Sequence, residues 1–157
     1  MIKKITLSAF IGMAIAFTGC TTTTTPNTDT SVTTPSKQPL ADRTWILTHI
    51  EGQAISTKPT DNNIPSLLLN SADQRLSGAD GCNRMMGSYT ATDTELSFSQ
   101  IATTMMACMD ENINKTSQAY GQALSKVASY QVTPTTLILK DKDGNTVLQF
   151  TTAVQPR

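Results

Sequence analysis

The stretch over residues 77–89 constrains the fold more than any other part of the chain. It reads Ser-Gly-Ala-Asp-Gly-Cys-Asn-Arg-Met-Met-Gly-Ser-Tyr, with three glycines around a single cysteine, Cys82. Glycine at this density indicates backbone that adopts positive φ angles or lies directly against another strand. A cysteine at the centre of such a turn, with Cys108 further along the chain, favours a covalent tie between two distant segments.

Residues 1–19 have the pattern of an export signal rather than of part of the fold. Two lysines, at positions 3 and 4, precede an apolar run over residues 5–17 that is too short to span a bilayer comfortably. Gly19 and Cys20 then resemble a bacterial lipobox, in which the cysteine is lipidated and becomes the mature N-terminus. We predict a lipoprotein signal peptide over residues 1–19 and lipidation of Cys20; the alternative is an ordinary secretory signal with a chance cysteine.

Residues 20–39 are predicted to comprise the lipidated Cys20 and the linker that follows it. Nine of the nineteen residues after Cys20 are Thr and three are Pro, so the segment has too little apolar surface to offset its ordering entropy. Thr21, rather than Asp, follows the cysteine and resembles lipoproteins sorted to the outer membrane. We therefore expect a chain anchored to the outer membrane of the bacterial cell envelope and facing the periplasm, with the linker as a spacer.

The charge of the chain argues against nucleic-acid binding. Removal of the two signal lysines leaves ten basic residues against twelve acidic ones, with no basic block. Phosphate contacts dominate nucleic-acid affinity, and no surface here supplies their donors.

The cysteine count agrees with an exported chain. Lipidation of Cys20 leaves Cys82 and Cys108 as an even pair in a compartment that permits disulfides. We predict a structural disulfide between them, with a reduced or metal-ligating pair as the alternative.

Alternating apolar residues predict a series of short strands in a globular domain over residues 40–157. Residues 45–50 begin the series, residues 53–63 are predicted to be a loop, and Asp-Lys-Asp-Gly-Asn at 141–145 is a strong hairpin signal. The other predicted strands cover residues 66–70, 75–79, 88–91, 95–100, 130–132, 137–140 and 146–150.

One helix is predicted after Cys108. Asp110 is a good N-cap, and Ile113, Tyr120, Leu124 and Val127 recur at helical spacing. About eight short strands and one helix indicate an α+β domain whose antiparallel sheet curves around the helix.

Three motifs in this domain resemble the META domain, also called the HslJ family. They are G-x-D-G-C-N-x-x-x-G-x-Y over residues 78–89, I-A-x-T-x-M-A-C over residues 101–108, and W-x-L-x-x-I-x-G over residues 45–52. The resemblance covers nearly all of residues 40–151 and implies a strongly bent sheet or partial barrel. It also implies association with stress response, drug tolerance, motility and secretion, without an agreed biochemical activity.

Neither catalysis nor a cofactor is indicated. His49 is the only histidine, so a catalytic triad or a His-based zinc site would lack the other residues that it needs. We expect His49 to be a half-buried residue of a strand. No G-x-S-x-G elbow, P-loop or dinucleotide fingerprint is present. Residues 141–145 resemble the start of a calcium loop, but the third acidic position and the terminal Glu are absent, which favours a hairpin turn.

Five methionines flank the two cysteines: Met85, Met86, Met105, Met106 and Met109. Thioether and thiolate ligands select Cu(I), so a copper site is one interpretation. The favoured interpretation is that flexible methionine side chains fill irregular space around a disulfide. Met85 and Met86 are adjacent and would face opposite sides of a strand, and the family's Met before the second cysteine, here Met106, also favours packing.

Asp80, Asn83, Arg84 and Thr104 are the candidate binding residues. They could form a polar surface beside the disulfide that binds a partner or a small ligand. The favoured alternative is that they satisfy backbone groups of the glycine-rich turn, as Asp and Asn commonly do.

These observations favour a non-enzymatic accessory or interaction module that binds an unidentified envelope protein. The alternative is a small apolar-ligand-binding domain that uses the interior of the curved sheet, lined by Leu, Phe and Met. A hydrolase is disfavoured because no nucleophile–base pair is evident. An open apolar cavity would favour the ligand-binding domain, and a filled core with an exposed apolar patch would favour the partner-binding module.

Overall fold

The computed structural model of the chain describes residues 40–56, 63–106 and 108–153. The predicted signal peptide, Cys20 and the linker lie outside these residues. The elements are, in chain order, β1 (Thr44–Ile50), β2 (Gln53–Ala54), β3 (Ser66–Asn70), β4 (Arg75–Ala79), β5 (Arg84–Ala91), β6 (Leu96–Thr103), α1 (Glu111–Ser125), β7 (Ser129–Val132), β8 (Thr136–Lys140) and β9 (Thr146–Thr152).

The strands form one antiparallel sheet in the order β6-β5-β4-β3-β1-β9-β8-β7, with β2 paired to β1. The two ends of this path meet at a bridge between Glu95 and Ser129. Close to the bridge, the backbone N–H of Leu96 donates to the Ala128 carbonyl at 3.1 Å. The sheet therefore curls into a half-barrel, and the predicted α+β class with a strongly curved antiparallel sheet and one helix is confirmed.

Because side chains alternate between the two faces of each strand, the apolar ones fill the concave side of the sheet. Trp45, Tyr120 and Phe150 are the largest fully buried side chains, and the rings of Tyr120 and Phe150 lie 6.1 Å apart. The indole N–H of Trp45 donates to the Leu40 carbonyl at 2.8 Å, so the polar atom of this buried ring is satisfied. The other fully buried side chains are leucines: Leu47, Leu67, Leu69, Leu76, Leu96, Leu124, Leu137, Leu139 and Leu148.

Helix α1 begins where the sequence predicts. The Asp110 carboxylate accepts the backbone N–H of Asn112 at 2.7 Å and that of Ile113 at 3.3 Å, which caps the first turn. Tyr120, Ala123 and Leu124 are the buried helical residues, and they face the sheet.

Several predicted boundaries are wrong. The strand expected over residues 95–100 continues to Thr103, and α1 ends at Ser125, before Val127. Of the loop expected over residues 53–63, Gln53 and Ala54 form β2 instead, because Glu51 and Gly52 have φ angles of 46° and 81° and the chain reverses tightly against β1; residues 57–62 lie outside the described residues. The strand expected over residues 88–91 begins at Arg84, because Ala79 of β4 already pairs with Arg84. The turn between β4 and β5 therefore contains fewer residues than the spacing of the three glycines at 78, 81 and 87 predicts.

Two glycines of this region allow close approach between strands. A Cβ atom at Gly78 would lie 2.1 Å from the Ser66 carbonyl oxygen on β3. At Gly87, a Cβ would lie 3.0 Å from the Ser99 carbonyl oxygen, where β6 bulges and Gln100 has a φ of 53°. The close approach of β4 to β3 and of β5 to β6 thus depends on the absence of side chains at these two positions.

Replacement of Gly78 by Ala should destabilise the domain by about 2 kcal/mol or more, because the fixed backbone of β3 cannot move aside. Gly121→Ala is the matched control: nothing lies within 4 Å of its Cβ position in α1, so this change should stabilise by about 0.5–1 kcal/mol. Urea unfolding of the full chain measures both. Equal stability of the two variants would contradict the close approach at Gly78.

Candidate functional site

The structure contains the disulfide predicted between Cys82 and Cys108. The two Cα atoms are 5.9 Å apart, and Cys82 is buried. The Asn114 side-chain amide donates to the Cys108 carbonyl at 2.9 Å, which fixes this end of the bridge against α1. The disulfide therefore ties the turn between β4 and β5 to the segment that leads into the helix.

Asp80 is buried beneath this turn rather than displayed on it. Its Oδ1 atom accepts the backbone N–H of Cys82 at 2.8 Å and that of Asn83 at 2.5 Å. Its Oδ2 atom accepts the hydroxyl of Ser117 on α1 at 2.7 Å. Asp80 is the one buried charged side chain in the part of the chain that the structure describes, and these donors offset the cost of its burial.

Asn83 and Thr104 also serve the backbone. Asn83 Oδ1 accepts the backbone N–H of Met106 at 2.7 Å and the hydroxyl of Thr104 at 3.3 Å. Thr104 Oγ1 accepts the backbone N–H of Arg84 at 3.1 Å, and the N–H of Thr104 donates to the Arg84 carbonyl. These contacts correspond to the favoured alternative, in which the polar residues hold the turn together.

The hypothesis of a four-residue polar binding surface is wrong for Asp80, which is only 4% exposed. A buried carboxylate that already accepts three hydrogen bonds offers little to a ligand. Arg84 is exposed and lines a shallow groove of about 530 Å³, together with Ile46, Met86 and small residues of β3 and β4. Of the four candidates, Arg84 is the one with an exposed charged group.

The methionines do not fill space around the disulfide as expected: Met85 belongs to the hydrophobic core, and the other four are exposed. Met85 is 2% exposed, whereas Met86 is 52%, Met106 57%, Met105 100% and Met109 101% exposed. Met85 and Met86 face opposite sides of β5, as predicted. We refer to Met86, Met105, Met106 and Met109 as the exposed methionines.

The backbone explains this exposure. Thr104 is held by Arg84, Met106 by the Asn83 side chain, and Cys108 by the disulfide. Because the attachments of this segment run through backbone atoms and the cysteine, no methionine side chain is needed to hold it in place. Thr104, Met106 and Cys108 are therefore held, while the thioethers of Met105 and Met106 are exposed to solvent.

His49 is half-buried on β1, and its Nδ1 atom lies 3.0 Å from the Thr48 hydroxyl oxygen. That hydroxyl donates its single proton to the Gln149 carbonyl at 3.0 Å. His49 must therefore donate to Thr48 rather than accept from it. A general base needs the opposite direction of proton transfer, so this pair is not an activated nucleophile.

No group of three or more His, Cys, Asp or Glu side chains within the described ranges is placed to hold a metal ion. The turn at residues 141–145 is a hairpin turn, in which Asp141 Oδ1 accepts the backbone N–H groups of Asp143 and Asn145. The side-chain amide of Asn145 also donates to Asp141 and, with the two backbone donors, lowers the pKa of this carboxyl. These three hydrogen bonds to Asp141 close the turn.

Tyr120 lies at the centre of the core, where its hydroxyl donates to the Ser66 carbonyl at 3.3 Å. Burial, and secondarily the charge of Asp80, raise the pKa of Tyr120 well above its ordinary value. Tyr120 thus acts as a neutral donor that links α1 to β3.

A groove of about 710 Å³ lies between the β1–β2 hairpin and the first half of α1. Its apolar lining comes from Ile50, Ile55, Pro65, Ile113 and Ala119. The groove is outside the half-barrel, whose interior is occupied by core side chains. The expected ligand site inside the sheet is therefore taken up by packing.

No helix among the described residues is long and apolar enough to cross a membrane.

Together, the curled antiparallel sheet, the single helix and the disulfide-tied glycine turn define an α+β half-barrel domain. A family model described as META domain matches residues 38–154. The chain belongs to the META domain family.

Solved structures show the same fold. The chain is 31% identical to a protein from Burkholderia xenovorans solved by NMR, with a TM-score of 0.58 over 77% of this chain and 88% of that chain. A second NMR structure is 21% identical, with a TM-score of 0.57 over 74% and 94% of the two chains. A crystal structure of a DUF4847 family protein from Bacteroides vulgatus is 15% identical, with a TM-score of 0.51 over 74% and 96%. No curated protein matches the chain.

Sequence reasoning missed Ser117, which connects Asp80 to α1. Ser117 lies 37 positions from its partner, so no local motif links the two residues. A signal was nevertheless present, because Ser117 follows Ile113 by four positions and precedes Tyr120 by three. A hydroxyl on the apolar stripe of a helix indicates a buried polar partner.

Replacement of Asp80 by Ala should destabilise the domain by about 3 kcal/mol, because two backbone N–H groups and one hydroxyl lose their acceptor. Asp80→Asn retains one carbonyl oxygen and can donate to Ser117, so it should cost about 1 kcal/mol, as should Ser117→Ala. Denaturant unfolding of the full chain gives the three values. An Asp80→Ala variant no less stable than Ser117→Ala would show that Asp80 does not organise the turn.

Proposed function

We propose that this chain is a lipid-anchored, non-enzymatic accessory protein of the bacterial cell envelope that binds another envelope protein through its exposed methionines. The lipobox-like Gly19 and Cys20 support the anchor, and Thr21 supports the outer membrane. The Thr- and Pro-rich segment that follows supports a spacer between the membrane and the domain. The association of the META family with stress response and secretion supports those processes as the setting.

One observation carries the proposed partner binding: the interior of the half-barrel is filled, while four methionines stand in solvent beside the disulfide. Exposed apolar side chains mark contact surfaces where they cluster, and these four lie on the two segments that the disulfide joins. Methionine suits such a surface because its unbranched thioether chain adapts to different partners. Arg84, exposed next to Met86 at the shallow groove, adds a charged group to the same region.

The only histidine of the chain, in the part that the structure describes, does not activate a nucleophile, which supports a non-enzymatic role. His49 donates its Nδ1 proton to Thr48, and Asp80 is committed to backbone donors. The META family, moreover, is not a known enzyme family. A binding role needs only an exposed surface, which the exposed methionines supply.

Photo-crosslinking from intact cells tests the partner. A photoreactive residue at position 105 or 109 of the full chain should yield one discrete crosslinked protein, because these side chains are fully exposed. Positions 122 and 143, exposed on α1 and at the hairpin tip, are the matched controls and should not yield this product. Absence of the product, or equal yields from all four positions, would contradict partner binding at the methionines.

The anchor is tested separately by Cys20→Ser in the full chain. Each buried methylene of an acyl chain contributes about 0.8 kcal/mol to membrane binding, so the variant should leave the membrane fraction and lose palmitate labelling. Equal labelling of the wild type and the variant would contradict lipidation of Cys20.

A second candidate function is binding of a small apolar ligand in the groove of about 710 Å³, because its floor is apolar and its rim carries polar groups such as Lys115 and Asn112. Ala119→Trp would fill this groove. Saturable binding of an apolar fluorescent dye to the full chain, abolished by that change, would favour this candidate over the partner-binding module.

A further inference from the structure

The exposed methionines differ from other sulfur atoms of the described domain in their access to solvent. Met105 and Met109 are fully exposed, Met86 and Met106 are about half exposed, and Met85 is 2% exposed. Cys82 and Cys108 are already joined as a disulfide, so neither presents a thiol. The thioethers of the exposed methionines are thus the sulfur groups in this domain that a dissolved oxidant reaches first.

These thioethers are also uncoupled from the fold. The segment that carries Met105 and Met106 is held by backbone hydrogen bonds to Asn83 and Arg84, and by the disulfide at Cys108. Oxidation of a methionine in a core places a polar oxygen among apolar groups and disrupts packing. At the exposed positions the added oxygen enters water, so the folded state tolerates it.

We propose that the exposed methionines form a modification site for two-electron oxygen donors, namely peroxides and hypohalous acids. With hydrogen peroxide, a lone pair of the thioether sulfur attacks one peroxide oxygen, the S–O bond forms and the O–O bond breaks. The hydroxide that leaves takes the proton from the oxygen now bound to sulfur and departs as water. The sulfur is oxidised to a sulfoxide by two electrons, and the peroxide is reduced.

The domain therefore accepts up to four oxygen atoms, one at each exposed methionine, without unfolding. Sulfoxide reductases return both epimers of methionine sulfoxide to methionine, so the modification is reversible. This inference is independent of the proposed partner binding, because it concerns the chemistry of the isolated chain.

The test is peroxide titration of the purified full chain, followed by quenching with free methionine, proteolysis and mass spectrometry of the methionine peptides. Oxidation at Met105 and Met109 should be about tenfold or more faster than at Met85, with Met86 and Met106 in between. The melting temperature after oxidation of the exposed methionines should change by no more than about 2 °C, because no core contact is lost.

Two leucine variants provide matched controls. Met105→Leu/Met109→Leu should keep the melting temperature and lose the fastest phase of oxygen uptake, whereas Met85→Leu should leave that phase unchanged. Oxidation of Met85 as fast as Met105, or a large fall in melting temperature, would each overturn the proposal.

Discussion

The carboxylate of Asp80 is the interaction on which the arrangement around the disulfide depends. It accepts two backbone N–H groups from its own turn and the Ser117 hydroxyl from α1. Gly81 follows with a φ of 100°, a conformation that favours glycine, so the chain can fold back over the carboxylate. Removal of this one acceptor would leave one buried and two partly buried donors unpaired, a cost that an exposed turn would not incur.

The effects of Asp80 extend outward in steps. The Asp80 carboxylate accepts the backbone N–H of Asn83 and thereby fixes that residue. The Asn83 side chain then accepts the backbone N–H of Met106 and the Thr104 hydroxyl. These contacts bring the end of β6 alongside the turn, where Cys108 can reach Cys82. The disulfide thus joins two segments that hydrogen bonds already place together, and the exposure of Met105 and Met106 follows from how the segment after β6 is held.

Sequence patterns predicted the elements whose signals are local. The run of three leucines in residues 66–70 and the residues around Leu76 in 75–79 predicted two strands with the bounds observed, Asp110 caps the helix, and residues 141–145 form the hairpin turn. Each depends on neighbours within a few positions, so short apolar patterns, capping and turn chemistry suffice to find it. The motifs around the two cysteines likewise pointed to the correct family.

Two of the errors concern features set by distant contacts, and another concerns a strand too short to show a pattern. Whether Asp80 lies on the surface depends on α1, whose Ser117 is far along the chain. Whether Met106 packs inward depends on which group receives its backbone N–H. The β2 strand has only two residues, Gln53 and Ala54, which is too few for a periodic pattern, and the tight turn at Glu51 and Gly52 creates it. Burial of a side chain at a turn is decided by tertiary structure, and the residue type alone does not reveal it.

The position of β1 beside β9 has a consequence for the order of folding. The first long strand of the domain and the last are neighbours in the middle of the sheet, so the Thr48 hydroxyl finds its acceptor at Gln149, 101 positions away. Closure of a loop of about a hundred residues costs roughly 4 kcal/mol of chain entropy before any contact offsets it. The centre of the sheet therefore cannot be completed until the final strand is available. A chain delivered through a membrane with its N-terminus first would stay open until almost all of it had crossed, and high contact order would make its final closure comparatively slow.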